Sequence, residues 1–368
     1  MKILLINNCV ILESDNGLFV DNRTGAFVFE LSKIIDKLEM LQFIMRFETC
    51  PQMADYRIDD KHINITGIRR GKHQIVPFIR AFMHGYKKIK KTDFVYLFFP
   101  GNICIIFGLL ALFHKKPYGI YVRGEKGISS PIAKFLYKHG KVVLTISPIF
   151  TQLIKRYRAN AETIRPMIGY SEKDIVEDRK YIKKNIYTLL YIGRLELNKG
   201  SFDIIWAVKR MLELGISNFV FDLVGDGPDI YKLKKLVKEL ELTNTINIYG
   251  SVTGKSELAQ FYLQSDLFVF PSHNEGFPRV IYEAAIMGLP IATTFVGTIA
   301  YLMKDKYNCI RLPMKNPNGM AECLIKALNN YDDIQEIANN ATITIKEYFS
   351  TLTEFPHEKQ LIRLIRAC

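Results

Sequence analysis

Two glutamates, Glu275 and Glu283, have seven residues between them in the segment FPSHNEGFPRVIYEAAIMGLP. The apolar run before them predicts a buried strand, whereas Pro278 and Gly288 predict the first residue and the end of a helix. This helix would direct free amide groups and the positive end of its dipole into the loop, which favours binding of a diphosphate. Carboxylates accept hydrogen bonds from sugar hydroxyls, so the pair indicates a nucleotide-sugar site. The alternative is that Glu275 caps a loop and that Glu283 is a solvated helix residue.

A strand and loop further upstream supply two cations. The segment YTLLYIGRLELNKG (187–200) predicts a buried strand, then a loop with Arg194 and Lys199, and a helix follows. Ligands of open α/β sheets collect at the carboxyl ends of the strands. Arg194 would therefore bind a diphosphate through its forked guanidinium, and Lys199 would act as a point charge.

Two more predicted strands end in glycine turns. The segment NFVFDLVGDGPD (218–229) contains Gly225 and Gly227, whose spacing partly matches a dinucleotide fingerprint. Pro228 follows where that fingerprint needs a helical turn, which argues against a nicotinamide site. In INIYGS (246–251), Gly250 would let the backbone approach a base.

The order of GRLELNKG, LVGDGP, YGS and SHNEGFPRVIYEAAIMGLPIATTFVG resembles the second half of retaining nucleotide-sugar glycosyltransferases of the GT-B fold, called group 1 or family 4. The resemblance covers roughly residues 187–300 and is specific for the family but not for the sugar. It implies that Arg194 and Lys199 contact the donor diphosphate, Glu275 the transferred sugar and Glu283 the ribose. The family's two glycines after the final strand appear here as Gly297-Thr298, and threonine narrows the allowed backbone. The expected donor-binding positions are Gly225, Gly250, Gly276, Phe277, Pro278 and Glu283.

The same resemblance implies a retaining transfer catalysed by Arg194, Lys199 and Glu275, in which the leaving phosphate takes the acceptor proton. The chain has no Asp-x-Asp motif, so cations and the helix dipole are expected to neutralise the diphosphate without a metal or other cofactor. The expected acceptor is a glycan or lipid-linked glycan. Two alternatives stay open: an inactive GT-B partner subunit, and a GT-B sugar-nucleotide epimerase or hydrolase.

The chain length of 368 residues favours two domains. We expect two Rossmann-like α/β domains facing a central cleft: 1–167, an acceptor-side domain joined by a C-terminal helix at 349–368, and 168–348, a donor-binding domain. Six cysteines without paired spacing indicate a reduced, cytoplasmic compartment. The N-terminal MKILLINN predicts a strand and not a secretory signal.

Positive charge is concentrated in the first half of the chain. Residues 1–170 hold 26 Lys and Arg against 13 Asp and Glu, whereas residues 171–368 hold 24 of each. The densest cluster, 69–91, has apolar residues at helical spacing, which predicts core packing. The alternative is peripheral contact with anionic lipid. Nucleic acid is not expected, since no recognition motif accompanies the charge. The apolar residues at helical spacing in 69–91 are Ile75, Phe78, Ile79, Phe82 and Tyr86.

Acceptor-side candidates lie in two predicted loops of the first domain. Gly25 is assigned to a flexible loop before the first helix, by resemblance to the family. Arg123 and Glu125 follow the strand YGIYV, where many relatives have a histidine that is missing here. Arg123 would contact a phosphate or an anionic acceptor, and Glu125 a sugar hydroxyl. The alternative for these two is a salt-bridged surface loop.

Overall fold

The structure is a computed structural model that describes residues 1–46, 56–58, 63–69, 75–124, 127–164, 168, 170–177, 179–252, 254–352 and 355–367. The chain divides into two compact units. Unit 1 consists of Met1–Met167 with Leu352–Cys368, and unit 2 of Ile168–Thr351.

Unit 1 is built on a mostly parallel sheet with the order β5-β3-β1-β6-β7-β8-β9. β2 pairs antiparallel with the end of β1, and β4 pairs with β2. The chain order reverses between β1 and β6, as in doubly wound folds. The strands are β1 (Lys2–Ser14), β2 (Gly17–Val20), β3 (Lys37–Arg46), β4 (Tyr56–Arg57), β5 (Ile63–Arg69), β6 (Phe94–Phe99), β7 (Tyr118–Val122), β8 (Val142–Thr145) and β9 (Ala161–Thr163). The helices between them are α1 (Asn22–Ser32), α2 (Ile75–Lys90), α3 (Asn102–Phe113), α4 (Pro131–His139) and α5 (Pro148–Lys155).

Unit 2 is built on a parallel sheet with the order β12-β11-β10-β13-β14-β15, which reverses between β10 and β13. Both units therefore confirm the predicted doubly wound α/β architecture. The strands are β10 (Tyr187–Ile192), β11 (Phe219–Val224), β12 (Ile246–Gly250), β13 (Leu267–Phe270), β14 (Ile291–Thr293) and β15 (Ile310–Arg311). The helices are α6 (Ser201–Glu213), α7 (Ile230–Glu239), α8 (Lys255–Gln264), α9 (Arg279–Ile286), α10 (Ile299–Leu302), α11 (Pro317–Asn329) and α12 (Tyr331–Ser350).

The last helix, α13 (His357–Ala367), packs against α1 and β8 in unit 1. It is shorter than the predicted 349–368, because α12 continues to Ser350 and Pro356 precedes the new helix. His357 is buried, with its Nε2 2.6 Å from the Tyr96 hydroxyl and its ring 4.3 Å from that of Phe27. Burial lowers the pKa of His357 to about 3.

Helix α2 corrects the predicted core stripe. Ile79 and Phe82 are 55% and 43% exposed. The buried face instead carries small residues, because a side chain at Gly85 would collide with the Phe107 ring of α3. Phe78 does contact the core, with its ring 5.3 Å from that of Phe43. The side chain of Ile75 lies outside the described part of the chain.

Candidate functional site

The loops that follow β10 and β13 meet where the strand order of unit 2 reverses, and there Lys199 pairs with Glu275. The ammonium Nζ lies 2.6 Å from Oε1 of Glu275 and donates to the carbonyl oxygen of Asn274 at 3.0 Å. The lysine side chain is 21% exposed and the glutamate side chain 10%. The sequence assigned these residues to different parts of a ligand, whereas the structure brings their charged groups into direct contact.

The backbone around Glu275 is held from two sides. Ser272 donates from Oγ to Oε1 of Glu275 at 2.8 Å. Gly297 has φ +55°, and a Cβ there would lie 1.9 Å from the Glu275 carbonyl oxygen. The hydroxyl of Thr298 donates to the carbonyl oxygen of Gly276 at 2.9 Å. Thr298 lies in the right-handed helical region at φ −80°, a conformation open to threonine, so the departure from a second glycine does not distort this loop.

A histidine that the sequence reasoning missed ties the same two loops together. The amide of His273 donates to the carbonyl oxygen of Asn198 at 2.9 Å. Its ring nitrogen Nε2 lies 2.7 Å from Oδ2 of Asp203, in the first turn of α6. The available signal was a polar residue two positions before Glu275 in a loop at the carboxyl end of a strand. His273 therefore helps to fix where Lys199 and Glu275 stand.

Arg194 leaves β10 in the same loop as Lys199. Its side chain is 49% exposed and lies 3.3 Å from the Glu196 carboxylate. The carbonyl oxygen of Arg194 accepts from the hydroxyl of buried Tyr191 at 2.8 Å. The backbone of Arg194 is thus held in place, while about half of its side-chain surface faces solvent.

Helix α9 begins one residue later than predicted. Pro278 is the residue before the helix, at φ −83° and ψ 86°, and Arg279 is the first helical residue. The interpretation of Pro278 as the first helical residue is therefore wrong. The extended ψ breaks the helical geometry there, although the Pro278 carbonyl oxygen accepts from the amide of Ile281 at 3.1 Å. Phe277 stacks on Tyr282 at 4.6 Å, which orients the entry to the helix.

Glu283 lies in α9 and accepts from the Tyr262 hydroxyl at its Oε2, 2.9 Å away. The carboxylate is half-buried. Burial, and secondly the charge of Glu283, raises the pKa of Tyr262 well above its usual value, so this hydroxyl stays a donor. The carboxylate consequently has a fixed orientation beside the loop.

The glycine turns after β11 and β12 lie against the Arg194 loop. Gly225 has φ +145°, and a Cβ there would lie 1.9 Å from the carbonyl oxygen of Gly193. Its amide donates to the carbonyl oxygen of Gly250 at 2.7 Å. The close approach requires glycine at position 225. It brings the carboxyl ends of β10, β11 and β12 together.

The three predicted acceptor-side residues of unit 1 have different outcomes in the structure. Arg123 donates from Nη2 to Oδ1 of buried Asn7 at 2.8 Å, and its guanidinium carbon lies 5.0 Å from the ring centre of Phe98. Gly25 lies inside α1 and not in a flexible loop, so that prediction is wrong. The Asp21 side chain caps this helix one turn earlier, and Gly25 packs against the Tyr56 ring, where a Cβ would not fit. Glu125 lies outside the described residues.

Comparison with known proteins now identifies the second unit. Residues 172–344 match the family model described as glycosyl transferases group 1. These residues are a group 1 glycosyltransferase domain. The group 1 family expected from the order of motifs is thereby confirmed, whereas retention stays a prediction.

Curated relatives match about half of the chain. An uncharacterized glycosyltransferase of Methanocaldococcus jannaschii is 30% identical over 162 residues, which cover 44% of this chain and 41% of the relative. A putative teichuronic acid biosynthesis glycosyltransferase of Bacillus subtilis is 26% identical over 205 residues, covering 56% and 46%. The chain thus spans less than half the length of these relatives.

Solved structures extend the likeness to the whole chain. An Anabaena protein crystallised with UDP has a TM-score of 0.69 at 15% identity and covers 100% of both chains. A lipopolysaccharide outer core galactosyltransferase in its apo form has a TM-score of 0.68 at 17% identity, covering 100% of this chain and 99% of the other. At these identities the likeness establishes the fold, which is GT-B as expected.

Proposed function

We propose that this group 1 glycosyltransferase moves a hexose from a nucleotide-diphosphate sugar to an acceptor hydroxyl, without a metal and with retention at the anomeric carbon. The observation that carries the proposal is the Lys199–Glu275 pair, held at the sheet edge where doubly wound folds bind ligands. A cation and a carboxylate fixed side by side suit a phosphate and a sugar hydroxyl that are covalently joined.

Each residue has a proposed part in the donor complex. Lys199 and the half-exposed Arg194 neutralise the charge that develops on the departing diphosphate, together with the amide groups at the start of α9. Glu275 accepts a hydrogen bond from the hexose, and Glu283 accepts one from the ribose. The backbone at Gly250 lies against the base.

The route of the acceptor proton is taken from the resemblance to the family. The acceptor hydroxyl forms the new bond to the anomeric carbon while the bond to the diphosphate breaks. The leaving phosphate oxygen takes the acceptor proton on the same sugar face, so retention requires no separate side-chain base. Preorganised cations lower the cost of this step because they are already aimed at the leaving group.

The acceptor is proposed to be a surface polysaccharide or lipid-linked glycan. The Bacillus subtilis relative carries a teichuronic acid name, and the structural neighbour is an outer core galactosyltransferase. UDP bound to the Anabaena protein supports a nucleotide-sugar donor. In unit 1, Arg123 beside buried Asn7 is the proposed contact for an anionic group of the acceptor. The proposed location is cytoplasmic, as predicted from the six cysteines without paired spacing.

The proposal is tested by nucleotide release from sugar nucleotides with and without a panel of glycan acceptors. Transfer predicts release that depends on acceptor, persists in EDTA and gives a product with the donor's anomeric configuration by NMR. Release without acceptor would indicate hydrolysis, and conversion of the donor sugar alone would indicate epimerisation. Binding without either reaction would indicate an inactive partner subunit.

A further inference from the structure

The outer side of α2 carries apolar side chains where a surface helix normally carries polar ones. Val76, Ile79 and Met83 are 44%, 55% and 62% exposed. They stand at the helical spacing of one face, opposite the buried side of the helix that includes Ala81 and Gly85. The helix therefore has two apolar faces, and the core accounts for only one of them.

Exposed apolar side chains also occur on the two neighbouring helices. α2 packs on α3 and α3 packs on α4. Rings link the first two helices: Phe82 lies 6.1 Å from Tyr86, Tyr86 lies 4.9 Å from His114, and His114 lies 5.2 Å from Phe113. Phe113 is 75% exposed. We call this surface the three-helix face, defined by the exposed side chains of Val76, Ile79, Phe82, Met83, Leu109, Phe113, Ile132 and Phe135.

The three helices of this face carry charges of one sign. The helices α2, α3 and α4 contain no Asp or Glu and carry six Lys and Arg residues. The ammonium of Lys90 lies 4.5 Å from the ring centre of Tyr86, at the edge of the apolar surface. Counted along the sequence, unit 1 has 29 Lys and Arg against 15 Asp and Glu, whereas unit 2 has 21 against 22. The six cations are Arg80, Lys87, Lys88, Lys90, Lys134 and Lys138. Lys88 pairs with Glu39 of β3 at 2.6 Å, so it is not counted among the cations that face lipid.

We propose that the three-helix face docks unit 1 on an anionic phospholipid membrane, with α2 lying in the plane of the interface. Apolar side chains enter the boundary between head groups and acyl chains, and the surrounding cations contact anionic head groups. Within the described residues, no helix has the length and apolar content to cross a bilayer. Nucleic acid would match the charge but would leave the apolar side chains unaccounted for.

The test is flotation of the full chain with vesicles of phosphatidylcholine, alone or mixed with phosphatidylglycerol. The double variant Ile79→Ser/Met83→Ser should bind the mixed vesicles more weakly by about fivefold per side chain. The variant Lys87→Gln/Lys90→Gln should lose about fivefold per cation, and salt should weaken the wild type in the same way. Unit 2 offers matched controls: Tyr231→Ser removes a side chain that is 84% exposed, and Lys234→Gln removes an exposed cation.

Thermal unfolding shows whether each variant is folded, and each named surface residue is exposed enough for substitution to leave the transition in place. Binding to anionic vesicles that falls in both face variants and persists in both controls supports the proposal. No binding by the wild type, equal binding to neutral and anionic vesicles, or equal loss in the controls would overturn it. A wild-type oligomer that dissociates in Ile79→Ser/Met83→Ser would also overturn it, since the face would then join two copies of the chain.

Discussion

Replacing Lys199 by methionine should destabilise unit 2, because the Glu275 carboxylate loses the ammonium 2.6 Å from its Oε1. Exposed ion pairs contribute about 0–1 kcal/mol, whereas removing one partner of a buried pair costs about 3–5 kcal/mol. The exposures of 21% for the lysine and 10% for the glutamate place this pair between those limits. We therefore expect the free energy of unfolding to fall by about 2 kcal/mol.

The double variant Lys199→Met/Glu275→Gln should recover part of that loss. It removes both charges and keeps an oxygen that can accept from Ser272. A domain of this size loses about 2–4 °C of Tm per kcal/mol. The single variant should therefore lower Tm by roughly 4–8 °C, and the double variant should regain about half of that. Both should lose nucleotide release, since neither restores the cation.

The assay is thermal unfolding of the wild type, both single variants and the double variant. Lys232→Met is the matched control, because Lys232 pairs with Asp229 at 2.8 Å in the same unit but is 74% exposed. Its free energy of unfolding should change by less than about 1 kcal/mol. A coupling energy between positions 199 and 275 below about 0.5 kcal/mol would refute the reasoning, as would a loss no greater than in Lys232→Met.

Three further predictions follow from individual contacts. Burial lowers the pKa of His357 to about 3 in the folded protein, whereas in the unfolded chain this histidine has a pKa of about 6.5. Below pH 6.5 the unfolded chain therefore binds a proton that the folded protein does not. The free energy of unfolding should fall as the pH falls, by about 2 kcal/mol at pH 5. His357→Gln should remove this slope in denaturant titrations, and an unchanged slope would contradict the cause. Gly297→Ala places a Cβ 1.9 Å from the Glu275 carbonyl oxygen and should lower both Tm and nucleotide binding, whereas Gly124→Ala, where a Cβ meets open space, should change neither. If Gly297→Ala behaves like its control, the loop is not held as described. Glu283→Gln keeps an acceptor for the neighbouring tyrosine and should raise the Kd for the nucleotide diphosphate about tenfold by calorimetry, and an unchanged Kd would exclude the ribose contact.

Much of unit 2 could be predicted from local sequence. The segments 187–192 and 267–270 are mainly apolar runs that end before Gly193 and Pro271, and both form strands in the structure. Because polar residues follow each strand, the sequence located Arg194, Lys199 and Glu275 at carboxyl ends of strands. The identity of these site residues therefore follows from local sequence patterns. Their position on the same side of the sheet follows from the parallel pairing of the strands.

The direct Lys199–Glu275 contact could not be predicted in the same way. The two residues are 76 positions apart, and their contact depends on β10 pairing with β13 and not with another strand. Nor does composition reveal that His273 braces these loops, since its partner Asp203 lies in a helix 70 positions away. Strand order and loop packing are tertiary properties that local propensity does not determine.

In unit 1 the errors come from small residues. Periodicity predicted that Ile79 and Phe82 face the core, but Gly85 permits close packing of α2 on α3 and so selects the other face. Gly25 suggested a flexible loop, yet it is a helical residue that gives room to the Tyr56 ring. In both places glycine is needed for close contact between elements and not for a turn, and the sequence alone cannot separate these two uses.

The most direct test of the donor site is the thermal midpoint of the protein with UDP-, GDP-, ADP- and dTDP-sugars. A ligand at about 100 times its Kd stabilises the folded state by about 2.7 kcal/mol, which corresponds to roughly 5–10 °C for unit 2. We predict such a shift with one nucleotide class, its loss in Arg194→Ala and its retention in Arg210→Ala, which removes an exposed arginine paired with Glu213. A midpoint that no sugar nucleotide raises, or a shift that survives Arg194→Ala, would contradict the assignment of this site.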